Sequence, residues 1–447
     1  MRSDRRPSPQ LVAPAAVLAS AVAVVSAAVS APAAEPVRGP VAVAIRGSAA
    51  DGYRIERGGQ PFALRGAGGE ERLDLVAACG GTGIRTWGIE SCSRQVEGRP
   101  LLDTAAHHGL TVTVGLWLGH ERHGFDYGDR PQVERQRAAV EEAVSRYRNH
   151  PAVLFWGLGN EMEGPTGDGA SAAVWREVNE LARRVKRLDP HHPVMPVVAN
   201  VNPAKIAAIL AHAPDIDLLG VNAYAGAAAV GKTLRDHGWT KPYCITEYGL
   251  PGPWEVPLTP WKAPIEPTSR EKAGLTYTAH RAITADERQC LGGYVFLWGH
   301  KQEATSSWFG MLLPGGEKTP RVDAIARAWT GRWPTDRAPV LKEADVPLAN
   351  ATLRPGGRAL VRVHYEDPEG QPLAYRYEVV AESTDRKEGG DAERRPDAMP
   401  GAVRPLDADG RAEVLAPTTP GAYRLFVTVT DTAGSGAVDN WCFRVAR

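Results

Sequence analysis

Between residues 60 and 333 the chain alternates short apolar runs with longer amphipathic stretches. The runs are PFALRGAGG (61–69), GIRTW (83–87), TVTVGLWL (111–118), AVLFWGLGNE (152–161), VMPVVAN (194–200), IDLLGVNAY (216–224), YCITEYG (243–249) and GGYVFLW (292–298). Most are apolar without strict alternation, the pattern of strands covered on both faces. The stretches 131–150 and 172–189 between them carry apolar residues at helical spacing, and 269–284 opens with Ser269 and Glu271 as a capped start. Eight such units in roughly 270 residues predict a (β/α)8 TIM barrel over 60–333. A doubly wound sheet is the competing arrangement, but no glycine-rich phosphate loop follows the first strand.

The flanks differ in period. Residues 35–59 form a lead-in with a hairpin that turns at Gly58-Gly59. Beyond the barrel the period becomes two: Tyr375, Tyr377 and Val379 share one face, as do Tyr423, Leu425, Val427 and Val429. That pattern predicts a C-terminal immunoglobulin-like β-sandwich over 338–447. The polar stretch 382–401 is expected to be a mobile loop, leaving the site complete on the barrel. Residues 1–34 have a basic start, an Ala-rich apolar stretch and an A-x-A site, and are expected to be a signal peptide. The protein is then secreted or periplasmic, with no stable membrane span after cleavage; uncleaved, the segment would be an anchor.

Composition narrows the function classes. Lys+Arg and Asp+Glu are 52 each, so nothing asks for nucleic acid as a partner. The five cysteines form no C-x-x-C or Cys/His set, so no metal and no cofactor is expected. Cys79 and Cys92 could pair, or be buried free thiols. Asp367, Glu369 and Asp431 stand in turn-like contexts, where turn chemistry outweighs calcium binding. The oligomeric state is left open.

In a TIM barrel the active site lies at the C-terminal strand ends. Those ends hold Arg85 and Trp87, Trp117 and His120, Asn160 and Glu161, Asn200, Asn222 and Tyr224, Glu247, and Trp298. Two carboxylates among amides, an Arg and aromatics suit glycosidic cleavage, where one carboxyl protonates the leaving oxygen and the other attacks or activates water. Glu163 and Glu90 are rival carboxylates, but each lies past its strand end.

HPAVLFWGLGNEMEG and KPYCITEYG are similar to the acid/base and nucleophile strands of glycoside hydrolase clan A. With GGQPFALRG, GGTGIRTW, GVNAY and FGMLLPGGEKTPRVDAI in the same order, residues 52–332 most resemble the catalytic domain of family 2 glycoside hydrolases. The resemblance implies a retaining double displacement on a β-linked oligo- or polysaccharide. Glu161 would be the acid/base and Glu247 the nucleophile, and Asn160 would bind the sugar 2-hydroxyl. Tyr224 and Arg85 would keep Glu247 ionised, and Trp298 would be the sugar platform. The family's usual domains before the barrel are replaced by the short lead-in, so its substrate specificities are not carried over. The alternatives are a β-glycan transglycosylase on the same site, or a non-catalytic carbohydrate-binding protein on a glycosidase-like barrel.

Overall fold

The computed structural model describes residues 39–162, 167–387 and 389–447. The expected signal peptide and Glu163 lie outside the described residues. No described helix is long and apolar enough to cross a membrane.

Eight strands close into a barrel in chain order: Leu64–Gly68, Gly83–Arg85, Thr111–Leu116, Val153–Leu158, Val194–Ala199, Leu219–Asn222, Tyr243–Tyr248 and Cys290–Phe296. Each is parallel to its neighbours, so the doubly wound alternative is excluded. The strands are buried on both faces, which explains their unbroken apolar character. Helices Arg130–Tyr147, Ala172–Leu188 and Ser269–Thr284 fall where the apolar spacing placed them. The third is capped by Thr268, whose hydroxyl and Glu271 form a reciprocal capping box, so Ser269 is its first residue. A small antiparallel sheet, Val43–Ser48, Gly52–Arg57 and Gln60–Phe62, precedes the barrel, with Gly58-Gly59 at its second turn.

Two four-stranded sheets follow the barrel. One contains Arg358–Glu366 and Arg411–Leu415; the other contains Ala374–Ala381, Gly421–Thr430 and Gly436–Val445. They share a core in which Val361, Val363 and Tyr365 meet Leu425, Val427, Val429 and Phe443. The alternating face around Tyr423 is buried as its period required. All five cysteines are free thiols, so Cys79 and Cys92 do not pair, and burial pushes both up to about 12. Asp367 and Asp431 each spend one carboxylate oxygen on the amides of their own turn.

The sheets are tied to the barrel by buried polar groups. Asp439 accepts from the amide of Ser269 at 2.5 Å, from its hydroxyl at 2.8 Å, and from the Tyr365 hydroxyl. It therefore satisfies an orphan donor at the start of a barrel helix from another layer of the molecule. Beside it, Glu266 binds Lys272 and accepts from Thr305 at 2.6 Å and Ser307 at 2.7 Å. Burial pushes the Glu266 carboxyl up, but Lys272 and Arg424 outweigh it and hold it below the ordinary range. Arg424 comes from the sheets, donating to the Pro264 carbonyl at 3.0 Å and clasping Glu382.

Asp439→Ala is expected to strand the Ser269 amide and destabilise the protein by about 1–3 kcal/mol, measured by urea unfolding. An unchanged midpoint would show that this junction does not hold the layers together.

Candidate active site

Arg85 is 2% exposed, and its guanidinium lies inside the barrel. A buried guanidinium needs its charge matched and its donors filled. One terminal nitrogen donates to Glu247 Oε1 at 2.8 Å and to the Thr246 carbonyl at 3.2 Å. The other donates to Asn160 Oδ1 at 2.6 Å. Glu247 also accepts from Trp87 Nε1 at 2.9 Å on Oε1 and from the Tyr224 hydroxyl at 2.6 Å on Oε2. Three donors, one of them cationic, thus converge on one carboxylate. The Tyr224 phenol is raised well above its ordinary range by burial, then by Glu247 and Glu161, so it remains a donor.

The second carboxylate is joined to the first through amides. Asn222 Nδ2 donates to Glu161 Oε1 at 2.7 Å and to Asn160 Oδ1 at 3.1 Å. Thr246 fixes the Asn222 amide by donating to its Oδ1 at 2.7 Å. Asn160 Oδ1 is therefore shared by Arg85 and Asn222, which leaves its amide NH2 available to the cavity. The backbone supports this arrangement by irregularity. The fourth strand ends at Leu158, and Gly159 and Glu161 take positive φ of 67° and 54°. A Cβ on Gly159 would meet the Met162 sulfur at 1.8 Å, so only glycine fits that turn. The pairing of the sixth and seventh strands shifts register between Val221 and Asn222, leaving Asn222 opposite Glu247.

These groups open on a cavity of about 700 Å³ at the C-terminal strand ends. Trp87, Asn160, Glu161, Asn222, Tyr224 and Glu247 are on its wall, with Trp117, 46% exposed, on the rim. Arg85 lies beneath the floor, reaching the cavity only through Glu247 and Asn160.

Two expected residues are placed elsewhere. Trp298 is 1% exposed and stacks on Trp329 in the barrel core, centroids 6.3 Å apart, so it is no platform here. Its amide donates to the Gly68 carbonyl, and the side chain turns away from the mouth. From the same segment it is Phe296 that reaches the cavity. His120 is 1% exposed and stacked between Trp117 and His123, behind the rim. Burial, with Arg122 and His123, pushes its imidazole down to about 4, so it stays neutral and supports Trp117 from behind.

Other wall residues were not expected. Trp254, 63% exposed, follows the seventh strand and meets Tyr224 edge-on at 5.7 Å. Glu255 beside it accepts from the amides of Gly252 and Ala225. Lys301 and Glu303 follow the eighth strand and pair at 2.9 Å. Lys387, Gly389, Gly390 and Asp391 come from the segment expected to be a mobile loop. That segment is fastened to the mouth instead. Lys301 donates to the Gly390 carbonyl at 2.6 Å, Glu393 accepts the Ala304 amide at 2.7 Å, and His123 meets Asp391 at 3.1 Å. The cavity is thus not complete on the barrel alone.

The model of glycosyl hydrolases family 2, TIM barrel domain, matches residues 105–251, which span the third to the seventh strand. Over these residues the barrel resembles the family 2 glycosyl hydrolases. A putative beta-glucuronidase from Formosa agariphila is 28% identical over 149 residues, 33% of this chain and 12% of that protein. A probable mannan endo-1,4-beta-mannosidase C from Aspergillus terreus is 32% identical over 107 residues, 21% of this chain and 26% of that protein. The family 2 match is thus carried by the barrel, and the matched stretches are a minor part of both relatives. A solved beta-glucuronidase from Bacteroides uniformis aligns with 90% of the chain and 48% of its own, at 13% identity and TM-score 0.49.

Arg85→Met is expected to destabilise the barrel by about 3–5 kcal/mol, because Glu247 would be left buried without its cation. Denaturant unfolding measures this, and a loss under about 1 kcal/mol would mean that water replaces Arg85 at little cost.

Proposed function

We propose that the protein is a glycosidase that cleaves β-linked glycosides with retention, Glu247 acting as nucleophile and Glu161 as acid/base. The single observation that carries this reading is the unequal treatment of the two carboxylates. Glu247 receives three donors, from Arg85, Trp87 and Tyr224, the surroundings that suit an anionic nucleophile. Glu161 stands on a left-handed turn facing the cavity, next to a neutral amide donor from Asn222. An acid/base needs a site that tolerates both protonation states, and an amide favours the anion less than a guanidinium does.

In the first step the leaving oxygen takes the Glu161 proton as Glu247 bonds to the anomeric carbon and the aglycone departs. In the second, Glu161 takes a proton from water, whose oxygen displaces Glu247, so two inversions restore the β configuration. The Asn160 amide NH2, its oxygen held from below, is placed for the sugar 2-hydroxyl. Phe296 and Trp87 supply the apolar surface on which the sugar ring rests. In this reading the chain acts outside the cytoplasm, following the composition of residues 1–34.

The test is made on the two carboxylates separately. Glu247→Gly is expected to abolish turnover of aryl β-glycosides, with azide restoring it as the α-glycosyl azide. Glu161→Ala should slow substrates with poor leaving groups by about 10²–10⁴-fold and spare dinitrophenyl glycosides in the first step. Azide rescue of Glu161→Ala through an α-glycosyl azide would reverse the two roles.

A further inference from the structure

The charges on the cavity wall are unbalanced. Glu161, Glu247, Glu255, Glu303 and Asp391 bring carboxyl groups to it, against two lysines, Lys301 and Lys387. Both lysines are already engaged. Lys301 is bound to Glu303 at 2.9 Å and to the Gly390 carbonyl at 2.6 Å. Lys387 is paired with Asp385 at 3.5 Å and lies 3.4 Å from the Ala392 carbonyl. The Arg85 terminal nitrogens are spent beneath the floor. Arg122, whose Nη2 has no hydrogen-bond partner among the described residues, packs against Gly389 of the strap, the segment that carries Gly389–Asp391 across the mouth, and does not line the wall. Among the described residues on the wall, every cation therefore has an acidic partner, and carboxyl groups remain in excess.

The excess has a location. Glu303 is 8% exposed and follows the eighth strand. Burial raises its carboxyl, Lys301 opposes, and the nearby Glu247 adds to the rise. Asp391 sits on the strap that crosses the mouth between Lys301 and His123. Glu161, by contrast, is bound to Asn222 on the sixth strand. The leaving group departs beside its proton donor, and Trp87, Phe296, Glu303 and Asp391 line the same cavity in which the glycone is held. A glycone carrying its own carboxylate would meet Glu303 and Asp391 there with no uncommitted cation on the wall, and repulsion of this kind is how a site rejects a near-isosteric competitor.

We propose that the cleft takes an uncharged β-linked hexose as glycone and excludes a uronic acid, and that Glu303 and Asp391, the latter supplied by the C-terminal sheets, carry the exclusion. Hydroxyl groups suit the same wall, since ionised carboxylates accept from them and lysines donate to them. The inference rests on the glycosidase reading above and adds the glycone class to it. It separates this chain from what the names of two of the proteins it resembles would suggest.

The experiment uses the full chain and four probes: the 2,4-dinitrophenyl 2-deoxy-2-fluoro-β-glycosides of glucose, galactose, mannose and glucuronic acid. Mass spectrometry follows covalent labelling of Glu247. At least one neutral probe is expected to label it more than about tenfold faster than the glucuronide. Asp391→Asn and Glu303→Gln, singly and together, should raise the glucuronide-to-neutral ratio, about tenfold or more for the pair. Glu303→Gln does so partly by releasing Lys301. Arg394→Ala, on the exposed side of the strap, should leave that ratio unchanged. Thermal melting confirms that each variant is folded, and either single variant suffices if the pair is not. Fastest labelling by the glucuronide, or a ratio indifferent to both carboxylates, would overturn the inference while leaving Glu247 as nucleophile. Absence of any label on Glu247 would instead overturn the glycosidase reading, and this inference with it.

Discussion

A guanidinium sealed inside a barrel is the constraint on which the site depends. Arg85 is almost wholly removed from water, so its charge must be met by protein groups. Glu247 meets the charge and Asn160 fills the remaining direction. Because Asn160 gives the same oxygen to Asn222, and Asn222 also holds Glu161, one buried cation fixes the spacing of two acids on strands that do not touch. The barrel makes this possible because closure brings the second, fourth, sixth and seventh strand ends around a common axis. An open sheet would spread those ends along an edge and leave Arg85 in contact with water.

The apolar floor and the polar mouth have different origins in the sequence, and this decided what could be read. A barrel strand is covered on both faces, so its apolar run ends where the chain reaches the mouth. The residues just past each run, Asn160 and Glu161, Asn222 and Tyr224, Glu247, are therefore legible as a set before any coordinates exist. Arg85 stood out for the same reason, as an arginine ending a run of three buried residues. The rule weakens with distance from the strand. Trp298 is only two residues beyond Phe296, yet it points into the core against Trp329 while Phe296 faces the cavity. His120, four residues past Leu116, is likewise turned behind Trp117. Side-chain direction in a loop depends on tertiary neighbours, which a periodic pattern does not encode.

The segment near residue 390 was illegible for another reason. Its composition is charged and glycine-rich, the usual mark of a solvated loop. What fastens it is a set of contacts far apart in the chain, such as Lys301 to Gly390, which local composition cannot register. The buried junction of Asp439 with Ser269 was hidden in the same way: an aspartate in a strand reads as a solvent-facing residue until a helix start is placed against it. Both contacts bring the C-terminal sheets to the barrel, one at the side and one at the mouth.

The strap also sets an order on the making of the molecule. Glu161, Glu247 and the side chains that hold them are all encoded before the last barrel helix, Pro320–Thr330, has been synthesised. The strap leaves the strand Ala374–Ala381, which pairs along its length with Gly421–Thr430, and that strand in turn is flanked by Gly436–Val445. A chain leaving the ribosome would therefore hold both carboxylates and their donors while the wall of the cleft was still unbuilt, and the cleft would gain its shape only after Gly436–Val445 had been made. On the glycosidase reading proposed above, discrimination among sugars is a property that arrives after the chemistry.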